Sequence, residues 1–216
     1  MRPSRAGHQE GDHVVTDRRA AILEGAARVI ARRGVRGLRV EELAAEAGVS
    51  TALVYYHFKD RSGVLRRTLE FIGDRAGRYT AEAEEESDAQ SDLDAAPPDP
   101  RQELERALLL EFQDVPEVRE NSTAWGELRA SAVFDPDLRD ELAHAGLTWV
   151  HEVAALLGRT RPTVPAPVLT ASAERLTALL EGLSTRWLSG ILPLDHARDL
   201  MREAIAVEAA RLDHDV

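Results

Sequence analysis

"AGVSTALVYYHFKD", residues 47–60, decides how this chain is read. A turn of small residues runs into Tyr55, Tyr56, His57 and Phe58, then into Lys59, the only lysine in the protein. Those four positions hold three of the chain's seven Phe and Tyr residues. Upstream, Val40, Leu43, Ala44 and Ala47 recur at helical spacing and Gly48 ends the pattern, which predicts a short helix over about 40–47. Ser50 is placed to cap a second short helix over about 51–57.

A short helix, a tight turn and another short helix form a helix-turn-helix, whose second helix enters the DNA major groove N-terminal end first. The aromatic cluster suits that task. Tyrosine offers a flat ring to thymine methyls and a hydroxyl to phosphate, histidine offers a donor, and Lys59 can pair with a phosphate.

Working outward, Thr16 reads as an N-cap with Asp17 in the first turn. Ile22, Ala26, Val29 and Ile30 repeat at helical spacing, and Gly34 is a C-cap. Residues 1–15 are expected to be a flexible tail. Asp60 can cap a longer helix over about 61–86, with Val64, Leu65, Leu69 and Ile72 inward. "SDAQSDLDAAPPDP", residues 87–100, is acidic and proline-rich and reads as a loop and the clearest internal boundary. Five helical stretches follow, at about 101–114, 117–132, 136–157, 167–190 and 195–211. Asp135 before Pro136 is a helix start, and Asp195 is a candidate cap for the last helix. No stretch of alternating β-branched residues predicts a strand. The expected fold is all-α, about nine helices. Its units are a helix-turn-helix domain at 16–60, a connecting helix at 61–86, a loop at 87–100 and a helical body at 101–212.

A chain of 216 residues can bury a proper core. It has no cysteine, which excludes disulfides, thiol chemistry and cysteine-based zinc sites. No apolar run approaches the ~20 residues of a membrane span, and the N-terminus lacks a secretory apolar region, so a cytoplasmic protein is expected. The net charge of −11 opposes nucleic-acid binding only if taken whole. Residues 1–80 carry 15 Arg/Lys against 10 Asp/Glu, and the rest carry 12 against 28. A basic module is therefore attached to an acidic body, and the local field is what DNA meets.

The stretch "VIARRGVRGLRVEELAAEAGVSTALVYYHFKDRSGVL" resembles the DNA-binding block of the TetR family of bacterial transcription regulators. Glycines, apolar spacing and the aromatic cluster fall in register over about 17–65. By that resemblance Thr51, Ala52, Tyr55, Tyr56 and His57 face DNA, and Phe58 is the buried aromatic that locks the helix onto its domain. Ser50, Arg39, Lys59 and Arg61 complete the expected DNA-binding set. Three positions depart from the family. Arg61 stands where lysine is usual and keeps the charge. Arg39 replaces a Ser/Thr cap, trading the cap for a phosphate contact. Glu41 occupies a position that often approaches phosphate. Arg32, Arg33 and Arg36 form a basic run that suits either DNA or the helix dipole.

The stretches "TAWGELRASAVFDPDLRDEL" and "LTALLEGLSTRWLSGIL" resemble the core of BetI-like members. The resemblance implies a ligand-binding and dimerisation body. Ala171, Ala178, Gly182, Thr185 and Ser189 form a stripe of small residues that a partner helix can approach closely, with Leu176, Leu179, Leu183 and Trp187 on another face. Gly182 costs roughly 1 kcal/mol in a helix interior, so close packing is a motive. Leu200, Ala204 and Val207 would complete a four-helix homodimer interface. Candidate pocket residues are Phe112, Trp125, Leu128, Arg129, Phe134 and Trp149. His144 and His151 lie seven apart, too far for paired ligation at i, i+4, and read as surface residues.

No nucleophile motif, phosphate-cradling glycine loop or metal spacing marks an enzyme. No cofactor is expected. The expected function is a repressor released from a roughly palindromic double-stranded operator by a small-molecule effector. The alternative is a DNA-binding regulator without such an effector, controlled by a protein partner or acting as an activator.

Overall fold

A computed structural model describes residues 7–89 and 99–214, which form an all-α fold. Nine helices are present among the described residues: α1 (Gly7–Gly37), α2 (Val40–Glu46), α3 (Thr51–Phe58), α4 (Arg61–Ala89), α5 (Pro100–Leu109), α6 (Pro116–Ala132), α7 (Pro136–Thr160), α8 (Ala166–Leu188) and α9 (Leu194–His214). Each expected helix is found.

Several ends differ from the sequence-based expectation. The helix expected from Thr16 begins at Gly7, so residues 7–15 are helical rather than tail, and the first six residues lie outside the described ones. Of the expected 87–100 loop, residues 87–89 continue α4 and Pro100 opens α5; residues 90–98 lie outside the described ones. Helix α5 stops at Leu109, five residues short of expectation. Asp195 sits inside the first turn of α9, where its charge complements the dipole, because the Ala197 amide already donates to the Pro193 carbonyl at 3.0 Å.

The local signals that held are short-range ones. Asp135 caps α7, its Oδ1 accepting from the Asp137 amide at 3.1 Å. Gly34 leaves helical geometry at φ 71° and breaks α1 there. A side chain at Gly34 would also place its Cβ 2.6 Å from Glu127 Oε2 of α6, and the next amide, Val35, donates to that same oxygen at 3.3 Å. The break therefore serves tertiary contact as well as helix ending.

Two apolar cores organise the molecule. The first joins α1–α4 through Ile22, Ile30, Leu43, Phe58, Leu65 and Ile72, and it takes in Ala124, Leu128 and Ala132 of α6 and Leu138 of α7. The second joins α5, α7, α8 and α9 through Leu108, Phe112, Leu157, Leu176, Trp187 and Met201. The N-terminal module thus packs on α6 and α7, and α7 contributes to both cores, through Leu138 to the first and through Val153 and Leu157 to the second.

Candidate nucleic-acid interface

The placement of α3 follows from its two ends. At its start, Ser50 Oγ accepts from the Leu53 amide at 3.2 Å, as its N-cap role requires. At its end, Lys59 adopts a left-handed φ of 64° while its amide closes on Tyr55 O at 2.9 Å. Asp60 Oδ1 then accepts from the Gly63 amide at 2.6 Å, which starts α4. The turn is so tight that a Cβ on Gly63 would lie 2.1 Å from the Phe58 carbonyl oxygen. Gly63 is what lets α4 begin directly against the end of α3.

Between these ends the helix has two faces. Val54 and Phe58 are buried in the N-terminal core, and the Arg19 guanidinium lies 5.9 Å from the Phe58 ring centre. Thr51, Ala52, Tyr55 and Tyr56 are exposed, with Tyr56 at 76%. A tyrosine that open is not core. His57 is half-buried and meets Tyr56 edge-on, ring centres 5.2 Å apart. It lines a cleft of about 200 Å³ with Phe58, Lys59, Gly63, Arg66, Arg67 and Glu141.

The arginines divide more sharply than their spacing indicated. Arg61, exposed, already binds backbone within the module. Its Nε donates to Leu38 O at 3.1 Å and a second guanidinium nitrogen donates to Val35 O. It braces the turn between α1 and α2, adding to the bond that Val35 O already accepts from the Leu38 amide at 3.2 Å. Arg32 pairs with Glu46 and Arg33 with Glu42, and Arg28 Nε also binds Glu46 at 2.8 Å. The Glu46 carboxyl is held below the ordinary range by hydrogen bonds from Arg28 and Arg32. That part of the basic run holds α2 against α1. Arg39 precedes α2 with no side-chain cap bond, and Arg39, Glu41 and Lys59 are all exposed.

In the body the six pocket candidates do not converge. Phe112 is fully buried, 6.3 Å from Trp187 between ring centres. Trp149 packs partly buried on that same core. Trp125 and Leu128 instead belong to the N-terminal core, to which α6 also gives Ala124 and Ala132. Arg129 pairs with Glu181 of α8 and lies 3.5 Å from Thr185 Oγ1. Phe134 is 82% exposed in the turn after α6 and is no pocket wall here. Sequence reasoning missed Glu111. Its carboxyl end accepts from Ser184 Oγ at 3.1 Å, and desolvation pushes its pKa up, with Ser122 and Ser184 working against the rise. The available signal was one glutamate interrupting the apolar run from Ala107 to Phe112.

The small-residue stripe of α8 faces outward at Ala178, Gly182, Thr185 and Ser189; Ala171 is half-buried. Leu176, Leu183 and Trp187 are buried as expected, but Leu179 is 37% exposed and joins the stripe's side. On α9, Val207 is exposed, while Leu200 and Ala204 are half-buried and packed on the body core. His144 and His151 are exposed, and no group of three or more metal-ligating side chains occurs among the described residues. No described helix is long and apolar enough to cross a membrane.

Known proteins share this arrangement. The model of bacterial regulatory proteins of the tetR family matches residues 22–68, and that of the BetI-type transcriptional repressor C-terminal domain matches residues 100–210. The HTH-type transcriptional regulator BetI of Burkholderia cenocepacia is 26% identical over 181 residues, covering 82% of this chain and 86% of that protein. The crystal structure of a putative TetR-family transcriptional regulator from Rhodococcus sp. is 44% identical, with a TM-score of 0.78, over 90% of this chain and 99% of that one. A transcriptional regulator from Saccharomonospora viridis, crystallised in complex with choline, is 27% identical with a TM-score of 0.71, over 88% of this chain and 96% of that one. An outward-facing recognition helix on a helical body, matched by both family models in sequence order, places this chain in the TetR family of bacterial transcription regulators, with a C-terminal domain of the BetI type.

Proposed function

We propose that the protein is a homodimeric repressor that leaves a roughly palindromic operator when a small molecule binds its body. The observation that carries this reading is the split of α3 into a buried face, Val54 and Phe58, and an exposed face, Thr51, Ala52, Tyr55 and Tyr56. The exposed face enters the major groove. Ser50 caps the helix, and Arg39 and Lys59 flank it for phosphate contact. His57, half-buried, supports Tyr56 and reaches the groove edge.

The outward stripe of α8, with Val207 of α9, supports a two-fold interface in which Ala171, Ala178, Gly182, Thr185 and Ser189 meet their copies. Leu200 and Ala204 back that surface. Helix α6 carries the effector signal. Glu127 holds the Val35 amide of the DNA module, while Arg129, two residues on, holds Glu181 of the body. A ligand that shifts α6 would move the module and change the spacing of the two recognition helices. The choline-bound relative makes a choline-type cation the first effector to test.

The experiment is fluorescence anisotropy on DNA upstream of the protein's own gene and its neighbours, with and without effector. Effector affinity is measured by calorimetry on free protein and on the DNA complex. Release by linkage requires the two effector affinities to differ by the same factor as the two DNA affinities. Equal effector affinities in the two titrations would sink the release mechanism.

A further inference from the structure

We propose that the cleft where α3, α4 and α7 meet seats a small phosphate monoester, or orthophosphate itself, with Arg66, Lys59 and His57 as donors and Glu141 as the acceptor for its proton. The site lies at the joint of module and body. Its effect on DNA rests on the reading above that Lys59 touches the operator.

The cleft, of about 200 Å³, takes His57 and Lys59 from α3 and its end, Arg66 and Arg67 from α4, and Glu141 from α7. Drug-sized ligands occupy roughly 300–1,000 Å³, so this space suits a small ion or head group. Its charges do not balance. Arg67 is answered, because Glu70 binds it at 2.6 and 2.7 Å and the Glu141 charge acts on the same guanidinium. Arg66 and Lys59 have no side-chain hydrogen bond or ion pair among the described residues. Arg66 is half-buried, where a cation without a counter-charge is costlier than in open water. Lys59 is the one described non-glycine residue with a positive φ, 64°, a strained setting that takes it out of the register of α3.

The donor set specifies the ligand. A guanidinium fork and an ammonium suit an anion with several oxygens, and an imidazole adds an N–H. Glu141 supplies the discrimination. It has no side-chain hydrogen bond among the described residues, and an ionised carboxylate only accepts. Facing an anion, it repels one without a proton and bonds one that carries a P–OH. Phosphate monoesters titrate at roughly pH 6, and a neighbouring carboxylate favours their protonated form. Sulfate carries no such proton at neutral pH, and neither does a phosphodiester of the DNA backbone. The occupant is therefore a free phosphate group rather than one of the operator's own. Once seated, it engages Lys59 and weakens operator binding from within the module, without passing through α6.

The test is calorimetry on the full chain with inorganic phosphate and with sulfate, at about pH 6 and an ionic strength held constant with sodium chloride. Phosphate is expected to bind at millimolar concentration and sulfate at least tenfold more weakly. Arg66→Gln is expected to weaken phosphate at least tenfold. Glu141→Gln replaces the acceptor by an amide that also donates, so sulfate should then bind as well as phosphate. Both side chains are only half-buried, and circular dichroism checks that both variants fold. The proposal is overturned if phosphate does not bind folded wild-type protein at millimolar concentration, if Arg66→Gln binds it as wild type does, or if sulfate binds wild type as tightly as phosphate. Anisotropy on DNA upstream of the protein's own gene, with phosphate replacing chloride, separates this site from the reading beneath it. Release of wild type but not of Arg66→Gln supports both. Phosphate bound through Arg66 with DNA affinity unchanged supports the seat and removes Lys59 from the operator contacts. Weaker DNA binding by Arg66→Gln, with no phosphate bound by wild type, puts a backbone diester in the cleft and overturns the free ligand.

Discussion

Replacing Gly63 by alanine tests how the recognition helix is held, and propensity and packing disagree about the sign. In a helix interior, Gly→Ala stabilises by roughly 0.5–1 kcal/mol. At Gly63 the new Cβ would lie 2.1 Å from the Phe58 carbonyl oxygen. Reaching ordinary contact requires about 1 Å of movement by backbone, since no flexible side chain is there to yield. Overpacking of this kind costs about 1–3 kcal/mol. The shift also stretches the 2.6 Å bond from the Gly63 amide to Asp60, and losing such a cap costs about 1 kcal/mol. Packing therefore wins, and Gly63→Ala should destabilise by about 1–3 kcal/mol, lowering Tm by roughly 2–10 °C for a chain of this size. The same substitution at Gly73, also in α4, meets nothing within 4 Å. Gly73→Ala should raise stability by about 0.5–1 kcal/mol. The assay is thermal and urea unfolding of both variants beside wild type. DNA anisotropy should show Gly63→Ala weakened beyond its folded fraction, because α3 is displaced, and Gly73→Ala unchanged. If Gly63→Ala matches Gly73→Ala in stability, the close approach of α3 and α4 does not govern the turn.

Three further outcomes are expected. Tyr56→Ala should weaken operator binding by about 1–3 kcal/mol per half-site with a Tm near wild type, because the ring is 76% exposed; a lowered Tm with unchanged affinity would make Tyr56 structural. Gly182→Leu puts a large side chain into space that is open in one chain, so it should leave secondary structure intact and raise the monomer fraction in ultracentrifugation; an unaltered dimer would move the interface elsewhere. Glu208 is held at about 2 by Arg175, which binds it at 2.6 and 2.8 Å, with Ser172 and Arg211 assisting. A depressed carboxyl contributes stability above its unfolded value near 4.5 that is lost as pH falls through about 2. That contribution is about 2–3 kcal/mol after allowing for the half-exposed arginines. Glu208→Gln should therefore be less stable at pH 6, with the two stability curves converging between pH 4.5 and 2; parallel curves would deny the linkage.

By itself the sequence determined what depends on neighbours along the chain. Ser50, Asp60 and Asp135 were legible as caps because a cap acts on an amide two or three residues away. Gly34 and Gly48 were legible as breaks, since glycine readily takes the positive φ both show. The buried face of α4 followed from helical periodicity, the burial of Phe58 on α3 followed from the family resemblance, and the aromatic cluster with that frame was enough to name the family. Tertiary structure alone decided the rest. Arg61 lies near the recognition helix in sequence, but its guanidinium reaches carbonyls more than twenty residues back. A charge specifies that it needs a partner and not which one. Trp125 and Phe134 are equally apolar, yet one packs in the N-terminal core and the other stands in solvent, because helix packing selects the face of α6 and the turn after it. Glu111 is one carboxylate among the chain's 38 acidic residues. Only the meeting of α6 and α8, 11 and 73 residues further on at Ser122 and Ser184, encloses its charge and separates it from the others.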